Sequence, residues 1–341
     1  MSSPVFLRRT REDRERDEQD RLAPAATTAT ASKGREHDEE PDPYRTVFER
    51  DRDRILHAKA FRRLKHKTQV FINPDGDHFV TRLTHTLQVA QVGRALARAL
   101  GLNETLTEAI CLAHDIGHSP FGHTGEEALT PYAKQLGSPA GEWLHSIQSV
   151  RVVRKLEPLN LTHEVRDGLR AHSWRIDPPP ETPEGDCCRY ADRIAYLAHD
   201  ALDAMRAGVI ERDHLPSTCI EVFGEPGREW IHTMITAVIE ESVAAGTVNM
   251  HPTVLDAMHE LRDFMFEHVY LRPEAREQGA KAITVIRDLV DWFSEQPEQI
   301  PDGYADAADE PLQQAVDHVA GMSDAYALRT HDELFRPAGT G

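Results

Sequence analysis

From His114 to Glu126 the chain reads His-Asp-Ile-Gly-His-Ser-Pro-Phe-Gly-His-Thr-Gly-Glu, which puts three histidines and two carboxylates into thirteen residues. Imidazole nitrogens and carboxylate oxygens are the donors that a hard or borderline divalent cation takes. His114 and Asp115 stand together at the end of an apolar run and can both reach one ion. The Gly and Pro that follow force the chain to turn, so His118 and His123 can come back toward the same point. The dipeptide alone decides nothing, because His-Asp recurs at 37–38, 199–200 and 331–332.

His85 lies near the start of a helical pattern in which Leu83, Leu87 and Ala90 face a core. Alone it reads as a hydrogen-bonded structural histidine. With His114-Asp115 one helix later, two antiparallel helices can present three ligands to a shared cleft and leave positions for water or phosphate oxygens, as a catalytic metal requires. Asp192, Tyr196 and Asp200 recur at i, i+4 and i+8, one polar stripe on a helix otherwise made of Ile, Leu and Ala. That stripe is either a solvated face or one wall of a site. Asp192 or Asp200 can supply the fourth ligand, and spacing leaves the choice open.

Thr124 with Glu127 forms a capping-box pattern, which predicts a helix from about Gly125. His123 then precedes the helix and Glu126 falls in its first turn, where the carboxylate can hold the imidazole for proton transfer near neutral pH. The plainer reading makes Glu126 a dipole-stabilising residue and His123 part of a loop.

Helices must position these groups. Apolar periodicity of the helical kind covers 82–100 (ending at Gly101), 104–115, 125–136, 142–156, 162–172 and 187–206, then 228–245, 252–270, 273–296 and 311–334. Pro252 and Pro273 sit where they would start helices. Strand signals are scarce, so the expected fold class is all-α. Tyr44 to Lys67, with nine Arg or Lys against three acids, reads as one amphipathic helix with a basic face. Val70 to Phe79 reads as a turn or short hairpin around Asn73-Pro74-Asp75-Gly76-Asp77. Residues 8–21 read as an exposed helical arm and 22–43 as a mobile linker. The last 51 residues carry eleven acids against two Arg, the mark of a solvated acidic face.

With 341 residues, 40% of them apolar, the chain can bury the core of one large domain. A net charge of −18 argues against wholesale binding to nucleic acid or anionic membrane, so any polyanion must meet a local patch. Four cysteines without C-x-x-C spacing fit a reduced compartment. No apolar run reaches membrane-spanning length and the N-terminus lacks a hydrophobic signal core, which leads us to expect a soluble cytoplasmic protein.

Tyr44-Arg45-Thr46, the string Phe61-Arg62-Arg63-Leu64-Lys65-His66-Lys67-Thr68-Gln69-Val70-Phe71, Thr81 to His85, the 114–126 stretch and Asp192 to Asp200 together resemble the HD-domain metal-dependent phosphohydrolases. More narrowly, they resemble the bacterial dGTPase-like deoxynucleoside triphosphate triphosphohydrolases. The resemblance covers nearly the whole chain from Gly34. It implies an HD helical bundle extended by C-terminal helices: an arm and linker over 1–43, then a single domain over 44–341 with its core at 61–206 and an extension at 207–341. It resolves the open choice by implying His85, His114, Asp115 and Asp192 as metal ligands, for Mn²⁺ or Mg²⁺ first, with Co²⁺, Fe²⁺, Ni²⁺ and Zn²⁺ also compatible. Gln69, Tyr196 and Asp200 then meet the deoxyribose, Arg82, Arg193, His118 and His145 meet phosphate, and His123 with Glu126 forms the catalytic pair. His145 rests on the looser pattern His145-x-x-Gln148-Ser149-x-Arg151.

The implied reaction cleaves a dNTP into deoxynucleoside and intact triphosphate. Implied partners are the dNTP, a nucleotide effector and further copies of the chain, with no membrane and no nucleic-acid substrate. Ala325 departs from the pattern, since relatives commonly carry Arg there. The alternatives are another HD phosphohydrolase, such as a 5′-nucleotidase or guanosine tetraphosphate hydrolase, and a nucleotide or single-stranded nucleic-acid sensor using the basic 45–67 segment.

Overall fold

A computed structural model describes residues 6–69, 80–304, 306 and 308–335. Among them the chain is all-α, with fifteen α-helices and a single antiparallel bridge between Thr68 and Thr81. The first five are α1 (Arg11–Arg21), α2 (Val47–His57), α3 (Lys59–Arg63), α4 (Arg82–Leu100) and α5 (Glu104–Ala113). Next come α6 (His123–Gln135), α7 (His145–Arg151), α8 (His163–Ala171), α9 (Pro183–Arg206) and α10 (Ser217–Phe223). The last five are α11 (Arg228–Ala245), α12 (Pro252–Met265), α13 (Pro273–Glu295), α14 (Pro311–Ala320) and α15 (Asp324–Phe335).

Local chemistry explains where the central helices begin and end. Thr81 caps α4 by accepting from Thr84 N, and Gly101 closes it in the left-handed conformation at φ 69°. Asn103 caps α5, and Thr182 caps α9 with Pro183 in its first turn. These three helices pack on one another, with α2 and α8 against α5 and α11 against α4 and α9. Their shared core includes Leu96, Leu106, Ile110 and Ile194, all fully buried. A second core forms where α6, α13 and α14 meet around Leu129, Ile286 and Val319.

Several boundaries differ from the periodic pattern, each for a tertiary reason. The expected 44–67 helix breaks at Ala58 and restarts as α3, because the Glu157 carboxylate accepts from Lys59 N at 2.6 Å and Ala60 N at 3.0 Å. The 311–334 pattern splits into α14 and α15, and α10 carries no periodic signal of its own. The 142–156 and 252–270 patterns end in π turns, Val152–Leu156 and Phe266–Tyr270. The segment expected to be a mobile linker is tied to the core: Thr27 bonds to Glu184, Ser32 and Lys33 to Glu164, and the Arg35 guanidinium to buried Asp51. The C-terminal acids are not simply solvated either, since Asp317 is 1% exposed and takes the Arg151 guanidinium. The turn expected at 70–79 lies outside the described residues. Among the described residues no helix is long and apolar enough to cross a membrane.

Candidate metal centre and active site

His85 projects from α4, His114 and Asp115 follow the end of α5, and Asp192 comes from the middle of α9. Donor atoms of His85, His114 and Asp115 lie within 4.8 Å of one another. His85 Nε2 is 3.1 Å from Asp192 Oδ1. His114 Nδ1 donates to Cys111 O at 2.7 Å, which leaves Nε2 as a bare lone pair. That buried Nε2 has no hydrogen-bond partner and faces two carboxylates, 3.5 Å from Asp115 Oδ2 and 3.7 Å from Asp192 Oδ1. A lone pair sealed among acceptors is unfavourable unless a cation sits between them, so the residues fit a divalent ion. The rival His-Asp pairs go elsewhere: His37 is exposed, His199 Nδ1 turns to Ala195 O, and His331 pairs with Asp288.

The loop from Gly117 to Gly122 delivers the other groups. Gly117 has no room for a side chain, as a Cβ there would stand 2.2 Å from Ser149 N. Phe121 and Gly122 both take φ 60°, and Asp324 Oδ1 holds the turn by accepting from Phe121 N at 3.0 Å. Positive φ at both residues lets α6 start at His123, so the Thr124/Glu127 box does not form and Gly122 occupies the cap position.

His123 is exposed, and its Nδ1 lies 3.0 Å from Glu126 Oε2. The other oxygen of buried Glu126 is 2.6 Å from His145 Nδ1 and also accepts from His145 N. His145 Nε2 reaches His172 Nε2 at 3.0 Å, while His118 stacks on His145 with ring centroids 4.7 Å apart.

A cleft of about 330 Å³ opens over these groups. Every site residue named from the sequence lines it except His114 and Glu126, which are buried. Five arginines line it: Arg82, Arg175, Arg193, Arg262 and Arg272. Arg82 Nη1 donates to Asp115 Oδ2 at 2.6 Å and its Nη2 to Thr68 O at 3.0 Å. The Arg193 guanidinium stacks 3.9 Å from the Trp174 ring centroid. Also lining the cleft, the Tyr270 hydroxyl donates to Asp200 Oδ2 at 2.8 Å, beside Tyr196.

Residues 82–197 match the HD domain model and residues 248–333 the Phosphohydrolase-associated domain model. A deoxyguanosinetriphosphate triphosphohydrolase-like protein of Caldanaerobacter subterraneus subsp. tengcongensis is 46% identical over 323 residues, 93% of each chain. Another, from Desulfatibacillum aliphaticivorans, is 44% identical over 96% of this chain and 98% of its own. The chain belongs to this dGTPase-like family of HD-domain proteins. Among solved structures, a hypothetical protein of Aquifex aeolicus aligns at 21% identity with a TM-score of 0.48, over 84% of this chain and 68% of that one.

As an HD-domain protein the chain is a metal-dependent phosphohydrolase. Its electrostatics suit that chemistry. Burial pushes the Asp192 carboxyl up, but the His85 hydrogen bond and the neighbouring His114 and His85 rings outweigh it and hold Asp192 well below the usual carboxylate range. Asp115 is depressed likewise: burial raises it, and His114 and Arg82 more than compensate. Burial lowers His118 and takes His172 down to about 3, whereas His145 is raised, because the Glu126 charge and hydrogen bond exceed the effect of its burial. Burial lifts Asp200 to about 7.

In this dGTPase-like chain the sequence reading missed His172, Trp174, Tyr270 and three of the cleft arginines. His172 had one local signal: it ends α8 with Nδ1 on Leu169 O, three residues back, as His114 does with Cys111 O. Tyr270 had none, because only the π turn at Phe266–Tyr270 brings it against Asp200.

Proposed function

We propose that the chain hydrolyses deoxynucleoside triphosphates to deoxynucleoside and inorganic triphosphate. What carries this reading is one cleft whose lining combines the metal donors His85, Asp115 and Asp192, five arginines and the Asp200–Tyr270 pair. His85, His114, Asp115 and Asp192 would hold the divalent ion. When bound, it supplies Lewis acidity toward a phosphoryl oxygen and lowers the pKa of a coordinated water.

The remaining work belongs to the side chains. Arg82, Arg193, His118 and His145 take the phosphate oxygens by charge-assisted hydrogen bonds, offsetting about four negative charges within an acidic protein. Gln69, whose Oε1 is buried without a partner, and Asp200 address the 3′-hydroxyl, with Tyr196 closing the sugar pocket. Water adds to the α-phosphorus, the bond to the 5′-oxygen breaks, and His123 gives its proton to that oxygen while Glu126 fixes the ring.

The test assays the four dNTPs singly and as a mixture with Mg²⁺, Mn²⁺ or Co²⁺, identifying products by chromatography. Inorganic triphosphate with deoxynucleoside is the expected result, and activity confined to the mixture would add a nucleotide effector. Pyrophosphate with deoxynucleoside monophosphate, or orthophosphate with deoxynucleoside diphosphate, would replace this reading with another HD phosphohydrolase reaction.

A further inference from the structure

Trp174, in the turn after α8, lines the cleft beside Arg193. Its indole is fixed from three directions. Nε1 donates to Arg189 O at 3.1 Å, one turn of α9 before Arg193. Tyr190 meets the ring edge-on with centroids 5.2 Å apart, and His259 of α12 does so at 6.3 Å. The ring is thereby held as a platform, and the Arg193 guanidinium carbon lies over it, 3.9 Å from the centroid.

Arg193 differs from its neighbours in what opposes its charge. Arg82 pairs with Asp115, Arg175 with Glu142 and Arg262 with Asp263. Arg189, which approaches the same indole at 5.2 Å, pairs with Asp186. Arg193 makes no hydrogen bond or ion pair among the described residues, and its Nε is buried without a partner. Asp192, next to it in sequence, turns to His85 and His114. Burial is the largest influence on Arg193 and lowers its pKa, and Tyr196 and Asp192 offset that only in part.

A carboxylate partner occupies the donors of a guanidinium, which must then be shared with an incoming phosphate. An aromatic face instead attracts the cation through its quadrupole and leaves the in-plane N–H groups free.

We propose that Trp174 is a positioning residue: its indole stands in for a counter-ion, orients Arg193 and keeps the Arg193 donors open for the triphosphate of the substrate. The inference rests on the reading of Arg193 as a phosphate contact and adds the residue that acts through it.

The experiment titrates inorganic triphosphate into the full chain with Mn²⁺ present, by calorimetry, for wild type, Trp174→Leu, Arg193→Gln and the double variant. Each single substitution should weaken binding by roughly tenfold. The double variant should bind no more weakly than Arg193→Gln, because both substitutions break the same contact. Metal stoichiometry should be unchanged throughout. Trp174→Phe keeps an aromatic face of weaker attraction, so it should lose only about two- to threefold. That smaller loss should vanish in the Arg193→Gln background, which covers the case in which Trp174→Leu does not fold. On a dNTP that is turned over, the Trp174 variants should raise KM and leave kcat within about twofold. Undiminished binding in the Trp174 variants, or a loss that adds to that of Arg193→Gln, overturns the proposal. Undiminished binding in Arg193→Gln removes Arg193 from the phosphate contacts and the proposal with it. Triphosphate release from dNTPs is read separately, so the dNTP reading can fail while the coupling between Trp174 and Arg193 holds.

Discussion

His145 Nδ1 lies 2.6 Å from Glu126 Oε1, so the carboxylate beside His123 serves two imidazoles, one per oxygen. Glu126→Gln should therefore do more than lose orientation of His123. Turnover is expected to fall about 10²-fold or more. Without the carboxylate His145 loses what raises it, so it deprotonates at a lower pH and the KM for substrate should begin to climb at a lower pH than in wild type. Kinetics from pH 5 to 9 check both; an unmoved KM profile would separate His145 from phosphate binding.

Metal content should distinguish ligand from proton donor. Asp192→Ala is expected to leave the purified protein without stoichiometric metal, whereas His123→Ala keeps the metal and loses turnover. Elemental analysis of both variants decides it, and metal retained in Asp192→Ala would remove Asp192 from the ligand set.

Asp200 is raised by burial to about 7, above its value in an unfolded chain. A raised group binds more protons folded than unfolded, so its contribution to stability is complete below about pH 4 and is lost as pH rises through about 7. Asp200→Asn removes that dependence. Wild type should thus lose stability relative to Asp200→Asn between pH 4 and 7, measured by denaturant unfolding; a constant difference would argue against the shift.

Gly117→Ala would drive a methyl to 2.2 Å from Ser149 N and 2.5 Å from Gln148 C, backbone atoms that cannot swing aside. Destabilisation of about 2 kcal/mol or more is expected, together with weaker metal binding because the loop must shift. Tm and metal titration would show it.

Asp324 accepts from Phe121 N through one oxygen and from Thr68 N through the other, joining α15 to the metal loop and to the segment before Gln69. Asp324→Ala should lower kcat while leaving metal stoichiometry intact, with a stability loss of about 1–3 kcal/mol. Equal kcat would make the contact one of packing only.

Much of the architecture is legible before folding because helix ends are local. The caps at Thr81, Asn103 and Thr182 and the left-handed Gly101 each act within a few residues, and the observed bounds of α4, α11 and α13 follow the periodic pattern closely, while α9 starts four residues before its expected 187. Errors occur where a distant residue intervenes. Glu157 caps a break inside a continuous amphipathic pattern, and Asp324 steadies the turn that starts α6 at His123.

The sequence by itself determined the fold class and the donor types of the candidate site, because side-chain chemistry and helical period are properties of near neighbours. Only the tertiary structure decided which donors converge. His85 and Asp192 stand 107 residues apart yet lie 3.1 Å from each other. Period alone gives a residue's face on its own helix, and the packing of α4, α5 and α9 determines which faces meet. The same packing admits His172 beside His145 and closes Tyr270 onto Asp200.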